Sequence, residues 1–142
     1  MDKQEIINKA KKIQGWASDE ELGLIYDLAQ KYLTKNSLAL EVGSWKGKMA
    51  FVTASVCLQK GATLICLDTF YGCESQKKLF DEASKIGIKK FMEANIYKNL
   101  AGLPVKYIVG DSTIEHKQIK DGSISFCFID GDHYNPVVKQ DR

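Results

Sequence analysis

The stretch Leu38–Lys48, LALEVGSWKGK, decides how this chain is read. Leu38 to Val42 is a short apolar run with the character of a buried strand. Glu41 stands at its end, and Gly43 and Gly47 bracket a loop that leads into a helix. Glycine suits such a turn because it tolerates positive φ and carries no Cβ to hold a ligand away from the backbone. A helix that starts here points its unpaired N–H groups at whatever occupies the turn. By itself the pattern E-x-G-x-x-x-G serves an ordinary strand-to-helix turn as well as a ligand loop, so the flanking sequence has to decide.

Upstream, residues 3 to 13 form a short amphipathic helix with Ile6, Ala10 and Ile13 on one face, and Gly15 breaks it. Ser18 and Glu21 make a capping box for a second helix from about 19 to 34. Its Leu22, Ile25, Tyr26, Ala29, Tyr32 and Leu33 recur at helical spacing and predict a packed face. Downstream, Met49 to Gln59 reads as a helix that is apolar on most sides and stopped by Gly61. Ala62 to Leu67 is a continuous apolar strand closed by Asp68, as in a parallel sheet covered on both faces. Glu74 to about Leu100 is mostly helical with a break near Gly87. A third strand, Val105 to Val109, ends in Gly110-Asp111-Ser112, and a short helix runs to about Ile119. The fourth strand, Ser123 to Ile129, leads into Asp130-Gly131-Asp132-His133-Tyr134, and a last helix begins near Pro136.

Alternation of this kind defines an α/β fold, a Rossmann-like doubly wound parallel sheet. Right-handed crossovers put its strands in the order 3-2-1-4, with a switch point between strands 1 and 4 where ligands bind. The 142 residues fit a single domain that buries roughly 70% of its unfolded surface. It comprises N-terminal helices over 3–34 and a core over 37–142. No apolar run approaches the roughly 20 residues of a membrane span, and the N-terminus lacks the apolar region of a secretory signal. Net charge is +2, and Arg142 is the only arginine, so bidentate readers of phosphate or guanine are missing and no nucleic-acid or membrane partner is expected. Cys57, Cys66 and Cys127 lie in apolar segments and read as small hydrophobes, Cys73 lies in a loop, and none shows C-x-x-C spacing. That usage suits a reduced, cytoplasmic setting.

All four strands deliver a carboxylate to one rim: Glu41, Asp68, Asp111 and Asp130, with Asp132 just beyond. Carboxylates at buried strand ends are costly unless they are paired or bind something. Four of four favours a ligand site. An acid after strand 2 is placed to accept from ribose hydroxyls, and Asp111 with the Ser112 backbone could hold an adenine edge.

The segments IQGWASDEELGLIYDLA, LEVGSWKGKMA, LICLDTF, VKYIVGDS and FCFIDGDHYNPVVKQD together resemble the class I S-adenosylmethionine-dependent methyltransferases. They look most like the group whose fourth strand ends in a DGDHxY signature, a family 24-like methyltransferase that includes sugar and natural-product O-methyltransferases. The resemblance implies that Glu41, Gly43, Ser44 and Gly47 cradle the methionine part of the cofactor. It implies that Asp68 holds the ribose, that Asp111 and Ser112 meet the adenine, and that Asp130 to Tyr134 face both cofactor and acceptor. The implied activity is methyl transfer from S-adenosyl-L-methionine to an oxygen of a small molecule or sugar. The alternatives are a non-catalytic nucleoside-binding module without an acceptor pocket and, more weakly, a nicotinamide-dependent fragment, although the loop lacks G-x-G-x-x-G.

Displacement at a sulfonium is in-line, so the protein mainly positions donor and acceptor, and an oxygen acceptor must also lose a proton. His133, beside Asp130, reads as a general base or as an ordinary loop hydrogen-bonder. Asp130 and Asp132 offer hard oxygen ligands to a cation such as Mg2+, although metal-dependent relatives also draw ligands from after a following strand. Trp16 and Trp45 read as packing over the cofactor loop, and Tyr71 and Tyr134 as acceptor-pocket, core or lid residues. Relatives have seven strands, so the resemblance implies a fold lacking its last three. The chain is then a cut piece, a natural remnant or one that a partner completes. Strand 4 would be an apolar sheet edge able to pair with another copy.

Overall fold

A computed structural model describes residues 1–71 and 77–131, with the side chains of 77–80 and 83 excepted. At its centre β1 (Leu38–Val42) is flanked by β2 (Thr63–Asp68) on one side and β4 (Ile124–Ile129) on the other. β3 (Val105–Val109) pairs with β2, so the parallel sheet has the order β3-β2-β1-β4 that right-handed crossovers require. The expected last helix near Pro136 lies outside the described residues.

Register sorts the strand residues by face. Ala39 aligns with Leu64 and Phe126, and Glu41 with Cys66 and Phe128. This face packs on the N-terminal helices α1 (Lys3–Ala10), α2 (Asp19–Tyr32) and α3 (Lys48–Lys60). α3 sits between the sheet and α1 and α2, which is why Ala50 through Cys57 are all buried. The hydroxyl of Ser55 in that run donates to the Phe51 carbonyl at 2.7 Å and so is satisfied.

The expected capping box is present: Ser18 Oγ accepts from Glu21 N at 3.2 Å, and Glu21 Oε2 accepts from Ser18 N at 2.7 Å. Asp2 and Glu5 make a second one at α1. α1 stops at Ala10, short of the expected 13, because the backbone tightens there into i→i+3 turns. Ile13 still reaches the core from that turn.

Two burial expectations are corrected. Tyr32 is 49% exposed, because Leu22, Ile25, Ala29 and Leu33 already complete the buried stripe of α2. Cys127 is exposed rather than a core hydrophobe. It aligns with Leu40 on the sheet face turned away from α1, α2 and α3.

Between β2 and β3 the chain forms α4 (Lys77–Ile86), α5 (Ile88–Ala94) and α6 (Ile96–Asn99), with the expected break at Gly87. Phe91, Met92, Ile96 and Leu100 carry this block into the core. Between β3 and β4 come α7 (Ser112–Glu115) and a single tight turn, His116–Gln118. Among the described residues no helix is long and apolar enough to cross a membrane.

Candidate functional site

The carboxyl ends of β1 and β4 meet where the strand order reverses. Gly43 leaves β1 at φ +89°, and its N–H donates to the Leu67 carbonyl at 2.9 Å. A Cβ on Gly43 would lie 2.1 Å from the Asp130 carbonyl oxygen. The space beside Gly43 is therefore filled by β4 backbone, and Asp130 N–H donates to the Val42 carbonyl at 2.8 Å. Gly47, at φ +90°, has Ile96 and Leu100 where its Cβ would be. Both glycines thus serve close approach within the chain, a demand the sequence reading assigned to a ligand.

Between them the loop is tightly organised. Gly47 N–H donates to the Ser44 carbonyl at 2.8 Å, which closes the turn. Trp45, at φ +46°, donates its N–H to Asp68 Oδ2 at 2.7 Å and stacks its tilted ring 4.8 Å from Phe91. Lys46 is 5% exposed. Its ammonium donates to Gln14 Oε1 and to Glu82 Oε1, each at 2.7 Å, and lies over the rings of Trp45 and Phe91. Lys48 Nζ donates to the Gly15 carbonyl at 3.1 Å.

Glu41 is 2% exposed, and its Oε2 has no hydrogen-bond partner. Burial, then the charges of Asp130 and Asp68, push its carboxyl well above the ordinary 4.5. Ser44 Oγ makes no hydrogen bond of ordinary geometry and has the Cys66 thiol as its polar neighbour. The Trp45 indole N–H is likewise buried without an acceptor. Burial also raises Asp68, opposed by the N–H groups of Trp45 and Phe70, which donate to its two oxygens at 2.7 and 3.0 Å.

Glu41, Gly43, Ser44 and Asp130 line one cleft that opens to solvent. Trp45, Lys46, Lys48 and Met49 complete its floor, and Gln14–Ala17 form its far wall. Trp16 sits on that wall, 71% exposed, whereas Trp45 packs into the core block. Gly47 and Asp68 support the loop without lining the cleft. Asp111 and Ser112 stand one strand further out, where Gly110 N–H donates to the Asp68 carbonyl at 2.9 Å. Asp111 is exposed and caps α7, accepting from Thr113 N–H and Oγ1, which hold its carboxyl below the usual range. His133, Asp132 and Tyr134 lie outside the described residues. Among the described residues no three His, Cys, Asp or Glu side chains group as a metal site.

Gln14, Lys46 and Lys48 line the cleft without having been singled out from sequence. The signal was there for the lysines, since Lys46 stands between Gly43 and Gly47 and Lys48 directly follows Gly47. For Gln14 there was none, because only tertiary folding brings the α1–α2 connection over the loop.

A parallel sheet with its switch point at an acid-lined cleft defines a Rossmann-like ligand-binding domain. Residues 40–142 match the profile of a methyltransferase domain, methyltransferase family 24, and the chain belongs to that family. Two solved structures share the fold. One is the SAH-bound Podospora anserina methyltransferase PaMTH1, at 19% identity and TM-score 0.57, covering 97% of this chain and 54% of that one. The other is cofactor-bound Rv0187 from MTB, at 15% identity and TM-score 0.54, covering 98% and 56%. The chain therefore spans just over half the length of these structures. No curated protein matches it significantly.

Proposed function

We propose that residues 1–142 form the donor-binding domain of an S-adenosylmethionine-dependent methyltransferase, cytoplasmic and acting on an oxygen of a small molecule or sugar. The observation that carries this reading is Glu41, a carboxyl on the cleft that is 2% exposed, has an unpartnered oxygen and feels the like charges of Asp130 and Asp68. Such a group is stabilised by a ligand that brings positive charge. Bound S-adenosylmethionine would supply an electrophilic methyl group on a sulfonium, together with an ammonium. In this reading Glu41 and Ser44 hold the amino-acid end. Asp68, whose oxygens accept from the N–H groups of Trp45 and Phe70, borders the ribose. Asp111 and Ser112 border the adenine, and this reading assigns Asp130 and His133 to the acceptor and its proton. Membership of the methyltransferase family and the likeness to SAH-bound and cofactor-bound folds support the assignment.

Titration calorimetry with S-adenosylhomocysteine tests it. The wild-type chain should bind, and Glu41→Gln should bind at least tenfold more weakly because it removes the buried carboxyl whose oxygen has no partner. Preference for a nicotinamide dinucleotide, or no binding by the folded chain, refutes the reading. The alternative is a module that binds the cofactor without transferring its methyl group. Transfer to added acceptors separates the two.

A further inference from the structure

We infer that Lys48 binds the carboxylate of the cofactor's amino-acid end, so that the cleft selects ligands carrying that charge. The inference rests on the donor-binding reading above and names the residue that sets its specificity. Two lysines line the cleft, and they differ in what they have to do. Lys46 is satisfied: a carboxylate, an amide oxygen and two aromatic faces surround its ammonium. Lys48 has three N–H donors, and its one hydrogen bond among the described residues goes to a neutral carbonyl, that of Gly15.

Its position also runs against helix electrostatics. Lys48 is the first residue of α3, and the first turn of that 13-residue helix holds no acid. A cation there meets the positive end of the helix dipole, where an acid would stabilise the helix. An anion in the cleft removes the conflict, because it is attracted by the ammonium and by the unpaired N–H groups together. The lysine stem is held in place: its Cβ and Cδ lie 3.1 Å from where a Cβ on Gly15 would sit, so the glycine lets the α1–α2 connection rest on it.

Glu41 and Ser44 provide the independent sign of a ligand, both more than nine-tenths buried on the same cleft and each with an oxygen lacking an ordinary hydrogen bond. An acidic pole at Glu41 and a basic pole at Lys48 within one cleft match a zwitterionic amino acid, ammonium to the first and carboxylate to the second.

A thermodynamic cycle tests this, combining Lys48→Met with replacement of the ligand carboxylate by its neutral carboxamide. Wild type should bind S-adenosylhomocysteine at least tenfold more tightly than its carboxamide. Lys48→Met should lose about that factor for S-adenosylhomocysteine, leave the carboxamide unchanged and so erase the preference, while Lys48→Arg retains it. Equal losses for both ligands in Lys48→Met would make Lys48 a structural support and overturn the inference. So would a wild type that binds both ligands equally, although the donor-binding reading would then stand. A wild type that binds neither overturns both. Lys48→Gln gives the same comparison if the methionine variant does not fold.

Discussion

Replacing Gly43 with alanine should be among the most damaging single-methyl changes in this chain, and a graded series of glycines isolates the reason. Gly122 has φ +71° with nothing within 4 Å of an added Cβ, so Gly122→Ala should cost only the left-handed backbone penalty, about 1–2 kcal/mol. Gly47→Ala adds contact at 3.1 Å with Cγ1 of the buried Ile96 side chain, which must give by a few tenths of an ångström, and should cost about 2–3 kcal/mol. Gly43→Ala adds a backbone clash. The Asp130 carbonyl must retreat from 2.1 Å to beyond 3.0 Å, and that strains the 2.8 Å bond from Asp130 N–H to Val42. Backbone penalty, overpacking and a lost hydrogen bond sum to about 4 kcal/mol or more. That is a large fraction of the roughly 5–15 kcal/mol that holds a domain together. Urea denaturation followed by circular dichroism reads it. With a slope of about 1.5 kcal/mol per molar, the Gly43→Ala midpoint should fall by about 2–3 M, or cooperative unfolding should vanish. A Gly43→Ala midpoint close to that of Gly122→Ala would refute the argument that β1 and β4 meet through this glycine.

Glu41 links stability to pH in a definite direction. Its folded-state carboxyl is raised above the ordinary 4.5, so the native chain holds a proton that the unfolded chain has released. Ligand-free stability should therefore fall as pH rises above about 4.5, by up to about 1.4 kcal/mol per unit until Glu41 ionises in the native state. Glu41→Gln should lack this slope in urea midpoints taken across pH 5 to 8, and parallel curves would sink the account. β4 pairs only with β1 in the described sheet, and Ile129 is 41% exposed. The chain should therefore self-associate through that edge in sedimentation velocity, and Cys127→Lys should weaken association. A strictly monomeric wild type would refute that expectation.

Much of the fold was legible because its signals are local. β1 and β3 begin and end where their apolar runs do, Ser18 caps α2 through a side chain three residues from its partner, and Gly87 divides the helical block. Four strand-end acids were also legible, since period and length locate strand ends without a structure. Their division of labour was not. Asp111 turns its carboxylate to Thr113, Asp68 braces the Trp45 loop, and Glu41 alone combines burial with an unpartnered oxygen. Those differences come from neighbours 23 or more residues away, or from a turn geometry that residue type does not specify. The same holds for Cys127, whose apolar context says strand but not which face is covered.

The sequence by itself determined the α/β order, the strand order and the glycine loop that joins β1 to α3. Hydrophobic period, caps and right-handed crossovers act over a few residues or follow from chirality. Only the tertiary structure decided what the loop residues do. Gly43 makes room for the β4 backbone, Lys46 is satisfied by Gln14 and Glu82, and Lys48 is left facing the cleft. Whether a buried charge is paired or waits for a partner depends on which distant side chains arrive beside it, and that is settled when helices and sheet pack.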